Sequence, residues 1–395
     1  MTSSSLSAES SWEAIVTAVD RTSADSSTSD ENPNAYLEDA FTGLNGMVCS
    51  LHLAPNLLFA NKDKFVATDY LIAPYSIADR SSLPQCKPGS NPGGSWVAAC
   101  SSCSDPTTCD MGSLVWLHDE CRSKDLVGVG EKFRRNELSQ CVRNNVLIAL
   151  GDSILRGPFL RMISPFLSDN DIKFWPMHSF GSVRNENGLL VYWDYIIKTS
   201  FQEHERRDEK EPADVLRHMV DQHIPRAVWK ERKTKFIIGG TNSYFPQFQE
   251  WLEGCEENNT FGCPWQKGRG AKKSSVIVKG PGIMNIELAR ERSGCKDDKR
   301  ENCFKEKYIH RETPNQLRAK ELGYRYMKNI ANITGEMWSQ LKDGDADGCA
   351  CHFCVYNATA TGTDWRQRVG GAVCSQLANL LANEVCENDD DMAWI

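Results

Sequence analysis

The apolar run from Val146 to Leu150 leads straight into Gly151-Asp152-Ser153-Ile154, and a helix-like segment follows. A buried strand that ends in glycine and opens a helix fixes much of what can be built around it. It delivers a serine onto a sharp turn at the carboxyl edge of a sheet, where α/β folds place their chemistry. The N–H groups at the start of the helix can stabilise an oxyanion there.

The rest of the second half alternates in the same way. A helix is expected over about 156–168, a short extended segment from Ile172 to Trp175, then a loop containing Gly181. Leu189 to Ile197 and Lys235 to Ile238 read as strands, the second ending in Gly239-Gly240-Thr241-Asn242. Pro212 to Trp229 reads as a helix with proline near its first turn. Ser275 to Val278 is a further strand, ending in Lys279-Gly280-Pro281-Gly282. A long helix is expected from Pro314, with Leu317, Tyr324, Met327 and Ala331 on one face. A last helix from about Trp365 to Cys386 carries Val369, Val373, Leu377, Leu380, Leu381 and Val385 on one stripe. Strand–helix alternation implies an α/β fold, a mainly parallel sheet with helices on both faces.

The chain has 395 residues and 16 cysteines. That cysteine content, with Asn-X-Ser/Thr sequons at Asn258, Asn332 and Asn357, points to an oxidising, glycosylating compartment and a disulfide framework. The expected localisation is the secretory pathway, either Golgi lumen or extracellular. No apolar stretch is long enough to span a bilayer, and Met1-Thr2-Ser3-Ser4-Ser5 does not open a signal peptide. The cysteines carry the greater weight, so the chain is expected to be a fragment or incomplete gene product lacking its signal or anchor. The formal charge of −8 argues against nucleic acid or an anionic membrane as a partner.

Three regions follow from composition. Residues 1–35 are rich in Ser, Thr, Asp and Glu and are expected to be disordered. Residues 36–140 hold Cys49, Cys86, Cys100, Cys103, Cys109 and Cys121, with dense Pro and Gly around 87–94. They read as a loop-rich, disulfide-stapled region packed on the main domain. Residues 141–395 form the α/β domain.

A serine nucleophile needs a base, and the base needs an orienting carboxylate. Among eight histidines, His352 follows the acidic, Gly-rich segment Asp343-Gly344-Asp345-Ala346-Asp347-Gly348 and precedes the last helix. A loop placed there can bring a base over the serine. Asn242 can donate to an oxyanion through its carboxamide, and Gly181 through its N–H. Each of these alone has an ordinary structural use, Asn242 as a turn cap and Gly181 as a turn glycine. Cys349-Ala350-Cys351-His352-Phe353-Cys354 admits a second reading, three thiolates and an imidazole around zinc. Disulfides are preferred on the compartment argument, and no cofactor or metal is expected.

In order, Gly-Asp-Ser, a loop glycine, Gly-Thr-Asn and Asp…His near the C-terminus resemble the four blocks of the SGNH (GDSL-type) hydrolases. The likeness is greatest to the PC-esterase branch, the NXPE-like and trichome-birefringence-like glycan O-acyltransferases and esterases. It is carried by Cys86, Gly94-Ser95-Trp96, Cys121 and Cys141 ahead of the strand, by Gly151-Asp152-Ser153-Ile154-Leu155-Arg156, and by the Asp-Gly…His-Phe ending. It spans roughly residues 86–386. The resemblance implies an SGNH-type three-layer α/β/α fold with Ser153 as nucleophile, His352 as base, Asp347 as its acid, and Gly181 and Asn242 as oxyanion donors. Asp152, Arg156, Gly240 and Thr241 would then line the substrate. The implied substrate is a carbohydrate, with an acetyl ester or a small donor such as acetyl-CoA supplying the acyl group. The sequence departs from the branch at one point: the family has Asp-x-x-His, and here Cys349 stands three residues before His352. Asp347 is five before, Asp345 is the fallback, and Gly188 competes with Gly181. An inactive glycan-binding glycoprotein on the same fold is the alternative.

Overall fold

The computed structural model describes residues 35–42, 46–53, 70–87, 89–90, 93–110, 113–129, 134–151, 153–167, 180–185, 188–194, 233–239, 276–279, 317, 319, 321–327, 330–335, 354–356 and 369–387. Ten of its strands lie in two sheets with helices between them.

The first sheet holds β1 (Met47–Leu53), β2 (Tyr70–Pro74), β3 (Gly94–Cys100) and β4 (Val115–His118), all antiparallel in the order β2-β1-β3-β4. One face carries Cys49, Leu51, Trp96, Ala98 and Trp116 into the main core, and Val97, Val115 and Leu117 on the other meet Leu37 and Phe41. Trp96 and Trp116 pair across β3 and β4, edge to face at 5.8 Å. Disulfides Cys49–Cys103, Cys86–Cys121 and Cys100–Cys109 close the loops around the sheet. The loop-rich expectation for 36–140 is therefore corrected in part. The disulfides are present, but they staple a regular sheet.

The second sheet has six strands: β5 (Asn145–Leu150), β6 (Phe180–Arg184), β7 (Leu190–Asp194), β8 (Lys233–Ile238), β9 (Val276–Lys279) and β10 (Arg325–Met327). Their order is β10-β9-β8-β5-β7-β6, parallel except for the β6–β7 hairpin. Taken in chain order, the five parallel strands lie 2-1-3-4-5, a doubly wound arrangement whose switch point falls between β5 and β8. All six residues of β5 are buried, as a central strand covered on both faces requires.

Helix α1 (Arg135–Asn144) runs into β5 without a loop, and Asn145 Nδ2 donates to the Cys141 carbonyl at the junction. Helix α2 (Ser153–Ile163) follows β5, α3 (Ile330–Gly335) follows β10, and α4 (Ala372–Cys386) ends the described chain. Between β10 and α4 a short pair, β11 (Val355–Tyr356) and β12 (Val369–Gly370), is antiparallel.

Two helix expectations are corrected. Residues 317, 319 and 321 are helical, but the helix stops at Gly323, whose φ of 75° only glycine adopts without strain. Tyr324 N–H donates to the Ala319 carbonyl, the six-to-one bond of a Schellman cap, and the chain turns into β10. Met327 is buried in β10 and Tyr324 in the turn before it, not along a helix stripe. The last helix likewise begins at Ala372, because Val369 lies in β12 and Gly371 has a φ of 104°. Val373, Leu377, Leu381 and Val385 then form the buried stripe.

Helix α4 lies between the two sheets. Its apolar stripe joins the core with Leu147, Ala149 and Ile237 of the parallel sheet. Gln376, Asn379 and Asn383 meet the Cys-rich region. The Gln376 side chain accepts from the Trp116 N–H; that of Asn379 accepts from Leu126 N–H and donates to the Lys124 carbonyl, which Asn383 also reaches. Every one of these is a side chain satisfying backbone, so the two halves dock in one register. Trp96 Nε1 adds a bond to the Ile333 carbonyl of α3. Gly94 leaves room for this arrangement, since a Cβ there would lie 2.5 Å from the Trp116 ring nitrogen. The Gly94-Ser95-Trp96 motif thus serves docking.

Candidate functional site

The carboxyl edge of the parallel sheet gathers three of the segments that the sequence singles out. Strand β5 ends at Leu150, β8 ends beside it at Ile238, and β6 starts at the same edge because Phe180 pairs with Asp194 at the end of β7. Ser153 is the first residue of α2, so the strand–turn–helix expectation holds for the backbone, with the helix starting three residues earlier than anticipated.

The turns after β5 and β8 touch. Gly239 N–H donates to the Leu150 carbonyl at 3.0 Å. A Cβ on Gly151 would stand 2.2 Å from the Gly239 carbonyl oxygen, and one on Gly239 would stand 3.1 Å from Leu155 of α2. The first distance is shorter than any side chain tolerates against backbone, so residue 151 has to be glycine for the turns to meet. This contact brings the start of α2 and the segment opening at Gly239 to the β5/β8 boundary, the switch point where doubly wound sheets open a crevice.

Gly181 is placed differently from expectation. It lies within edge strand β6, opposite Trp193, not in a loop. The register puts it level with Ala149 and two strands from β5, about 10 Å across at ordinary strand spacing. Gly188, its competitor, sits at φ 78° in the β6–β7 turn, which is at the opposite edge of the sheet. Arg156 is buried on α2, and so, in the helix's third turn, is Arg161, whose Nε donates to Ser375 Oγ of α4 at 3.1 Å. Asp152, Gly240, Thr241, Asn242, Asp347 and His352 lie outside the described residues.

Cys354 is disulfide-bonded to Cys374 of α4. This removes one of the three thiolates that a zinc site across 349–354 would need. Cys141–Cys386 ties α1 to the end of α4, and all ten described cysteines are paired. Among the described residues no helix is long and apolar enough to cross a membrane. Of the three sequons, Asn258 and Asn357 lie outside the described residues. The third runs through α3, where Thr334 is buried and its hydroxyl donates to the Ile330 carbonyl.

The opposite end of α4 is charged. Lys235 and Arg325, both buried on the sheet, donate to the Glu387 and Glu384 carbonyls, cations placed at a helix C-terminus. The Glu384 residue is only partly buried, but its Oε2 is shut off from solvent, while Oε1 accepts from Gly89 N–H at 2.8 Å. Burial of the carboxylate pushes its pKa up to about 7, against the opposing pull of the Gly89 bond and Arg325.

Sequence reading missed the Gly151–Gly239 contact and the polar stripe Gln376, Asn379 and Asn383. The stripe has a signal, amides spaced three and four apart on an otherwise apolar helix. No protein-family model matches the chain, and no solved structure matches it significantly.

Proposed function

We propose that the protein is an O-acyl transferase or esterase, acting on O-acetyl groups of glycans through a Ser153 acyl-enzyme in the secretory pathway. The observation that supports this reading is the backbone contact between Gly151 and Gly239 at the switch point. It brings Gly151 of the Gly-Asp-Ser turn and Gly239, the residue before the Gly-Thr-Asn segment, to one edge. In the SGNH resemblance these segments supply the nucleophile and an oxyanion donor.

In this mechanism Ser153 Oγ attacks the acyl carbon of an acetyl ester or small acyl donor while His352 takes its proton. Asp347 orients the imidazole. The oxyanion is held by the Ser153 N–H at the head of α2 and by the Asn242 carboxamide. Collapse of the intermediate breaks the bond to the leaving group, which takes the proton from His352. Water or a sugar hydroxyl then gives its proton to His352, attacks the acyl-serine and restores Ser153. Hydrolysis and transfer differ only in that last acceptor, and the likeness to glycan-modifying families tilts the reading toward transfer. With Gly181 in β6, the first two donors suffice for the proposal and Gly181 is a third.

The test is turnover of p-nitrophenyl acetate, and then of an acetylated oligosaccharide, by wild type and Ser153→Ala. Wild-type turnover that the substitution abolishes, with an unchanged circular dichroism spectrum, supports the reading. Equal rates in both proteins would remove it. The displaced aspartate before His352 favours one competing reading, an inactive glycan-binding protein, for which oligosaccharide binding without any turnover is the expected result.

A further inference from the structure

We infer that Cys100-Ser101-Ser102-Cys103 is a redox exchange site, where reduction of Cys100–Cys109 by a dithiol passes on to Cys49–Cys103 and leaves a Cys100–Cys103 bond. The exchange is independent of Ser153 and of the function proposed above. Two described disulfides share this four-residue stretch, Cys100 bonding to Cys109 and Cys103 to Cys49. Both lie on one face of the first sheet. Cys49 pairs with Ala98, so Cys100 is its diagonal neighbour on that face, about 7–8 Å away. Cys103 Sγ stands 3.8 Å from the Val48 carbonyl oxygen, and Val48 is opposite Ala99, the residue before Cys100. Along the chain, Cys100 and Cys103 are at most about 10 Å apart. Cys49, Cys100 and Cys103 are buried together in the main core. Cys109 packs against them and is the partly exposed member of the four, between exposed Thr107 and Asp110. Its sulfur is where a reductant enters.

The backbone keeps the opened sulfurs in place. Cys100 and Cys109 face each other in an antiparallel bridge. Beside it Ser101 N–H donates to the Thr108 carbonyl at 3.2 Å, and Asp110 N–H to the Ala99 carbonyl at 2.8 Å. Cys49 sits in β1, laddered to β2 on one side and β3 on the other. A thiolate of the dithiol attacks Cys109 Sγ, the bond to Cys100 breaks, and Cys100 leaves as a thiolate. The second thiol of the reductant then displaces Cys109, so the reductant departs as a disulfide after giving two electrons. Cys100 attacks Cys103 Sγ, and Cys49 is expelled. This last transfer uses no electrons, and the two protons of the dithiol end on Cys109 and Cys49. Cys103 is the target because its loop can bend, whereas Cys49 and Cys100 are fixed on adjacent strands too far apart to bridge without backbone movement.

The full chain is titrated with dithiothreitol under native conditions, quenched in acid, alkylated with N-ethylmaleimide and mapped by mass spectrometry. Cleavage before Asp105 separates Cys103 from Cys109. At limiting reductant the expected species has Cys49 and Cys109 alkylated, Cys100 joined to Cys103, and an unchanged circular dichroism spectrum. Alkylated Cys100 and Cys109 beside an intact Cys49–Cys103 would overturn the exchange. So would a Cys49–Cys100 bond, four alkylated thiols with no Cys100–Cys103 intermediate, or opening of the two bonds only together with loss of the spectrum. Cys109→Ser makes the second transfer visible without reductant. Its alkylation should fall on Cys49 with Cys100 blocked, and alkylation on Cys100 with Cys49 blocked would overturn the exchange. If that variant does not fold, the wild-type map alone decides.

Discussion

The carbonyl of Gly239 lies where a side chain on residue 151 would begin, 2.2 Å from an ideal Cβ on Gly151. The turns ending β5 and β8 are therefore in backbone contact, and the head of α2 is fixed against the neighbouring strand's exit. Residues 151 and 239 do not contribute equally. The obstacle at Gly151 is backbone, whereas at Gly239 it is the Leu155 side chain at 3.1 Å.

Gly151→Ala is accordingly expected to destabilise by roughly 2–3 kcal/mol, as overpacking against a rigid neighbour does. Gly239→Ala should lose about 1 kcal/mol or less, since Leu155 can yield by a few tenths of an ångström. Urea unfolding of both variants tests the order. A Gly151→Ala protein as stable as wild type would mean that the two turns do not touch.

Asn379→Ala leaves the Leu126 N–H without its described acceptor in a buried seam, while the Lys124 carbonyl keeps the Asn383 side chain as a donor. An orphaned buried donor costs about 1–3 kcal/mol, so a loss of roughly 2 kcal/mol is expected. Asn379→Asp keeps the acceptor and loses the donor, and should fall between. If Asn379→Ala unfolds at wild-type urea concentration, the Cys-rich region is not docked through this side chain.

How much of this was legible in the sequence depends on the residue. Val146–Leu150, Lys235–Ile238 and Ser275–Val278 are short β-rich runs punctuated by glycine; the first two are strands in the structure, and Val276–Val278 of the third lie in β9. The Ser153 turn was legible for the same reason. Strand β6, Phe-Gly-Ser-Val-Arg, has no such pattern, because an edge strand exposes Ser182 and Arg184 and pairs on one side only. The sequence pattern at Gly181 therefore resembles a loop. The helix expected from Pro314 failed at Gly323, where apolar spacing continued past a C-cap that the spacing does not register. Strand β1 escaped notice because Cys49, Ser50 and His52 interrupt its apolar alternation, and its pairing is set by distant β3 and reinforced by Cys49–Cys103.

Thiol counting on denatured, unreduced protein should find no reactive sulfur among the ten described cysteines. Cys141–Cys386 spans 245 residues, the longest described loop. In the chain-entropy account its removal lowers stability by about 5 kcal/mol, more than the roughly 3 kcal/mol for a short loop such as Cys354–Cys374. Alkylation of Cys141 or Cys386 in the native, unreduced protein would rule out that bond.

Glu384 gives the pH dependence a definite sign. Its folded pKa of about 7 lies above the ordinary 4.5, so between those values the folded state binds more proton than the unfolded state. Stability from this group is full below about pH 4.5 and is lost as pH rises through 7. Glu384→Gln keeps an acceptor for Gly89 N–H and removes the buried charge. It should raise Tm at pH 8, leave it nearly unchanged at pH 4.5, and flatten the slope between. A Tm lowered at pH 8 would mean that the ionised carboxylate is stabilised by Arg325 and Lys235 more than burial opposes it.

The acid behind His352 is the remaining assignment, and the sequence makes it a choice among three. Asp347 is the nearest carboxylate before the histidine, two residues further off than the family spacing. A Cys-bearing insertion can bulge outward and leave that carboxylate facing the imidazole Nδ1. On that basis Asp347→Asn should lower kcat by about 10⁴-fold if the penalty known for serine triads carries over. Asp345→Asn and Asp343→Asn should stay within tenfold of wild type. All three belong beside His352→Ala in one assay series. A near-wild-type Asp347→Asn with a collapsed neighbour would shift the register of the loop. Three harmless substitutions beside an inactive His352→Ala would instead describe a Ser153–His352 dyad, with the imidazole oriented by a backbone carbonyl.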